Sequence, residues 1–107
     1  MITLTNRKNR VPLHLPVDVS GLDAKGSPFA EMTRTLNVSA GGICFESRQN
    51  LLVGGRLTLY IRLPLRLRKP FGGRSIYGVK AVICRVEPVP GEEILRVGAR
   101  FLAELEA

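Results

Sequence analysis

The 107 residues include a single histidine, His14, and only two cysteines, Cys44 and Cys84. With no CxxC spacing and no clustered ligands, a metal centre has nothing to be built from. His14 lies between Pro12 and Pro16 with no partner nucleophile suggested nearby, so serine or cysteine hydrolysis is not supported. The carboxylates are equally unpromising for acid–base work. Glu92 and Glu93 fall beside Gly91 in a turn, and Glu104 and Glu106 fall in the tail. No enzyme is expected. No apolar run approaches the roughly 18 residues of a spanning helix, and MITLTNRKNR has no apolar stretch behind its cations. We therefore expect no signal peptide, no membrane insertion and a cytoplasmic location. The cysteines, set among apolar neighbours, read as small core hydrophobes.

What is present is an ordinary globular composition, 45% hydrophobic and 23% charged, of a length that suits one domain over residues 1–107. The charge is less ordinary. Sixteen cations, twelve of them arginine, against nine acids give +7. Arginine offers a planar fork that matches phosphate oxygens or the O6/N7 edge of guanine, so the excess points to an anionic partner.

Apolar residues alternate along the chain, and alternation is a strand signal. Val11, Leu13, Leu15 and Val17 share one face of a first strand whose prolines suggest an edge or a bulged start. Residues 20–28 read as a loop, 29–36 as a strand, 37–42 as a turn and 43–47 as a short strand. Leu57, Leu59, Ile61, Leu63, Leu65 and Leu67 then predict one long strand, whose other face carries Arg56, Arg62, Arg66 and Arg68. Gly72-Gly73 turns the chain into a strand over 76–86, and Pro90-Gly91 turns it into another over 94–102. The tail 103–107 is read as the start of a short C-terminal helix. The fold expected is all-β: six antiparallel strands closed, or nearly so, into a small barrel.

Two segments are candidates for binding. Asn6-Arg7-Lys8-Asn9-Arg10 places three cations just before the first strand, and residues 1–10 are expected to form a flexible arginine-rich arm. Asn37-Val38-Ser39-Ala40-Gly41-Gly42 offers an amide, a hydroxyl and glycines suited to positive φ and close backbone approach. For the second segment alone, a tight turn with no ligand is the simpler reading.

In this order and spacing, the two segments resemble the PilZ domain family of bacterial cyclic di-GMP receptors, over nearly the whole chain. Asn37, Ser39 and Gly42 match the family's Asp/Asn-x-Ser-x-x-Gly motif, and Arg96-Val97-Gly98-Ala99-Arg100-Phe101 is similar to its closing strand. The Arg-x-x-x-Arg motif fits only in part. With Arg10 in the last position, Asn6 occupies the first and Arg7 matches an adjacent extra arginine; Lys8 is the other nearby cation.

The resemblance implies no cofactor and a ligand, cyclic di-GMP, contacted by Arg7, Arg10, Asn37, Ser39 and Gly42. The arm would order over that ligand and change the surface presented to an unidentified protein partner, since a chain this short is expected to carry no output domain. Two alternatives stay open: an adaptor that binds protein without nucleotide, for which Asn6 speaks, and a small basic barrel that binds nucleic acid. Against nucleic acid, Tyr60 is the one aromatic on the basic face, where stacking partners would be expected. Oligomeric state is not legible.

Overall fold

The computed structural model describes residues 11–105. Its strands are β1 (Val11–Pro12), β2 (Pro16–Leu22), β3 (Pro28–Val38), β4 (Gly42–Ser47), β5 (Arg56–Arg62), β6 (Ile76–Pro88) and β7 (Leu95–Glu104). All pairings are antiparallel. The order β3-β2-β5-β6-β7-β4 returns to β3 through a β3–β4 pairing, so six strands close a barrel. The short β1 pairs with the end of β3, Val11 opposite Val38 and Pro12 opposite Asn37, in line with β2 and separated from it by Leu13–Leu15.

Alternation fills the interior. Val17 and Val19 of β2 lie opposite Ile61 and Leu59 of β5, and Leu59 in turn lies opposite Val79 of β6. Ile43 and Phe45 of β4 face Ala99 and Val97 of β7. All are buried, and each large apolar side chain so buried contributes about 1.5 to 3 kcal/mol relative to exposure.

Four expectations need correction. β2 does not end at Asp18 but runs on through Ser20, Gly21 and Leu22, paired on both sides. Gly21 permits this because a Cβ there would stand 2.7 Å from the Arg56 carbonyl oxygen. The true loop is shorter: Asp23 Oδ1 accepts the N–H groups of Lys25 and Ser27, both at 2.9 Å, and Gly26 takes φ 80°.

The long basic strand stops at Arg62. Pro64 has no N–H to continue a ladder, and the chain winds into 3₁₀ turns at Leu65–Leu67 and Lys69–Phe71. Leu65 is consequently 78% exposed instead of interior.

The expected C-terminal helix is absent. β7 continues to Glu104, with Ala103 opposite Lys80, and Leu105 N–H bonds the Gly78 carbonyl at 2.9 Å. An isolated helix of five residues could not repay its nucleation, whereas β6 offers ready backbone partners.

Cys84 is exposed while Cys44 is buried. The β6–β7 register shifts between Ile83 and Arg85, so Cys84 is the extra residue of a bulge and is turned off the inward face.

Thr35 is fully buried at the seam of the barrel. Its hydroxyl accepts the Leu15 N–H at 2.9 Å and donates to the Leu13 carbonyl, satisfying backbone that the break between β1 and β2 leaves without a ladder. Replacing it with valine keeps the shape but strands both groups. Thr35→Val should therefore lower unfolding free energy by about 1 to 3 kcal/mol in a denaturant titration.

Tyr77 packs between Phe71 and Phe101, with ring centroids 4.9 and 5.9 Å away. Burial pushes its phenol up to about 12, with Glu104 adding to the effect and Arg74 opposing it. Because the folded value lies above the unfolded one, the stabilisation is complete below about pH 10 and is lost as pH rises towards 12. The denaturation midpoint should fall across that window in the wild type and fall less in Tyr77→Phe.

Candidate ligand site at the β3–β4 turn

β3 hands over to β4 through Ser39, Ala40 and Gly41. The hairpin is closed by Ser39 N–H to the Gly42 carbonyl at 2.9 Å. Two-residue hairpin loops usually rely on positive φ, but neither Gly41 nor Gly42 adopts it. Ser39 holds the turn instead. Its buried hydroxyl oxygen accepts the N–H groups of Gly42 at 3.1 Å and Gly41 at 3.3 Å, and its proton points to the Gly42 carbonyl at a long 3.4 Å.

Of the two roles the sequence suggested for its glycines, Gly42 fills the second, close backbone approach, and what approaches it is another strand. A Cβ there would stand 2.6 Å from the Ala99 carbonyl oxygen of β7, so close backbone approach is required by the barrel itself. The neighbouring Gly41 carbonyl accepts the Phe101 N–H at 2.9 Å, tying the turn to the same strand. Asn37 lies in β3 and not in the turn, half-buried, with Pro12 opposite it on one side and Cys44 on the other.

Asn37, Ser39 and Gly42 are thus brought together on one hairpin. Asn6, Arg7, Lys8 and Arg10 lie outside the described residues. The strand that follows Arg10 is nevertheless placed: Val11 and Pro12 are paired with Val38 and Asn37, beside the turn. Two open grooves, of about 610 and 550 Å³, lie elsewhere, one along Ser20–Asp23 and the other along Glu31–Arg34.

The cations predicted to share one strand face do not. Arg56 and Arg62 remain on β5, and Arg62 is 3.3 Å from Asp18 Oδ2. Arg66 and Arg68 fall in the segment beyond Pro64, where Arg68 Nε donates to the Leu63 carbonyl at 3.0 Å. The sequence assigns no binding role to the cations of β6 and β7. Arg85 is 3.1 Å from Glu87, Arg96 lies opposite both Glu46 and Glu87, and Arg100 lies opposite Gly42. Only the register reveals this.

Residues 5–107 match the sequence model of the PilZ domain. The chain belongs to the PilZ domain family. Among solved structures it is similar to the Bacillus subtilis inhibitor of motility MotI/DgrA, with TM-score 0.65 and 22% identity over 90% of this chain and 42% of that one. It is also similar to K. pneumonia MrkH in its apo state, with TM-score 0.62 and 12% identity over 91% of this chain and 43% of the other. The chain thus spans less than half the length of either. No curated protein sequence matches it. PilZ domains are receptor and adaptor domains, and no helix among the described residues is long and apolar enough to cross a membrane.

The close approach at Gly42 is directly testable. Gly42→Ala must push β4 and β7 apart, and overpacking of this kind costs about 1 to 3 kcal/mol, visible as a lowered thermal midpoint.

Proposed function

We propose that this PilZ domain is a cytoplasmic, non-enzymatic receptor for cyclic di-GMP, which it holds between the arm Asn6–Arg10 and the β3–β4 turn. The observation that carries the reading is the pairing of Val11 with Val38 and of Pro12 with Asn37. It supports the reading because Val11, the residue that follows the cations in sequence, is paired next to the β3–β4 turn.

In this reading Arg10 and Arg7 fork onto guanine O6/N7 or a phosphate, and Asn37 accepts a guanine N–H. A bidentate arginine contact to a base is worth about 1 to 3 kcal/mol of discrimination. Both lone pairs of the Ser39 hydroxyl are used by the turn, which leaves its proton as the group to give; a phosphate oxygen is a better acceptor than the carbonyl at 3.4 Å. Gly42 acts indirectly, by letting the hairpin sit close to β7. The neutral Asn37, where an aspartate would bring a charge, and the neutral Asn6 place affinity at the weaker end for such a receptor.

Ordering of the arm by the ligand would change the surface offered to a protein partner, because a ligand shifts an equilibrium only through its differential affinity for two states. Output through another protein is in keeping with the similarity to a protein named as an inhibitor of motility.

Isothermal titration with cyclic di-GMP at about 150 mM salt, with GTP and cyclic di-AMP as controls, tests the reading in a screened regime. The expected result is selective binding, micromolar or tighter, weakened by about tenfold or more in Arg10→Ala with folding intact. Ser39→Ala should also weaken binding, though it loosens the turn as well. No binding up to millimolar ligand would favour the nucleotide-independent adaptor, and unchanged affinity in both variants would refute the site.

A further inference from the structure

We propose that Arg100 of β7 is a further ligand-contacting residue of this site, giving an anionic phosphate group the cationic contact that Asn6 does not provide. The proposal rests on the receptor reading above and adds a residue from the opposite end of the chain.

Arg100 lies directly opposite Gly42 in the β4–β7 ladder. Residues so paired are about 5 Å apart at Cα and project from the same face of the sheet. Gly42 has no side chain, so nothing on β4 at that position stands between the arginine and the turn. The exposed Arg100 side chain is therefore the first cation reached on leaving the Ser39–Gly42 hairpin across the sheet.

Its surroundings also differ from those of its neighbours. Arg96, on the same face four residues earlier, has a glutamate opposite it on each side, Glu46 and Glu87, and Arg85 is ion-paired with Glu87. Arg100 has Gly42 on one side and Val82 on the other, with Arg56 next beyond Val82. Among the described residues it has no ion-pair partner. An arginine held among neutral and like-charged neighbours beside a polar turn is suited to receiving an anion, because binding need not first break a pair.

The test is titration of cyclic di-GMP into the wild type, Arg100→Ala, Arg100→Lys, Arg96→Ala and the double variant Asn6→Arg/Arg100→Ala, with thermal melts to verify folding. The expected result is a loss of tenfold or more in Arg100→Ala, a smaller loss in Arg100→Lys, a change within twofold in Arg96→Ala, and recovery in the double variant. Wild-type affinity in Arg100→Ala, alongside loss in Arg10→Ala, would overturn the assignment of Arg100 and leave the receptor reading standing. Equal losses in Arg96→Ala and Arg100→Ala would reduce the effect to general surface charge and overturn it too. Absence of binding by the wild type would remove both readings.

Discussion

The structure depends on β3 pairing along both of its edges. One edge pairs with β2 and then β1, the other pairs with β4 over the last residues, and that second pairing closes the ring. Thr35 stands where the register to β4 shifts on one edge and where the line from β1 to β2 is interrupted on the other. An interrupted edge leaves peptide groups without a ladder, and buried peptide groups must find other bonds. One hydroxyl supplies them at Leu13 and Leu15. Without it, water would be needed inside the seam.

The same double pairing at the end of β3 builds the candidate site. Because β1 continues the line of β2 past the interruption, the chain that carries Arg7 and Arg10 joins the barrel beside the end of β3, where Asn37 and Ser39 lie. Because β4 pairs with β3 along one edge and with β7 along the other, the turn also lies against Ala99, Arg100 and Phe101. Residues from the beginning, middle and end of the sequence thereby meet along one edge of the barrel. The glycine at 42 does structural duty first: it allows two strands to approach, and the site follows from that approach.

Charge is distributed with similar economy. The net +7 includes Arg62, ion-paired across the ladder, Arg85, ion-paired along its own strand, and Arg96, with glutamates opposite it, and also Arg100, which has no ion-pair partner among the described residues. Net charge alone cannot distinguish the two kinds, since a partner two strands away has no fixed separation in sequence. The cations read as a single basic face were divided by Pro64, whose missing N–H ended the strand that period-two leucines had promised.

Alternation determined which residues face inward, because the side-chain period of a strand is set by the backbone and needs no tertiary partner. It made the all-β class, the turns at Gly72-Gly73 and Pro90-Gly91, and most of the core legible in the chain, and the spacing of Asn37, Ser39 and Gly42 marked the hairpin proposed as the site. Strand ends were not legible in the same way. Whether Ser20–Leu22 or Ala103–Glu104 stays extended depends on a free ladder edge beside it, as does the bulge that exposes Cys84. Only the tertiary structure could decide those, and only it could place Arg100 opposite Gly42, because strand register joins residues that sequence separation keeps apart.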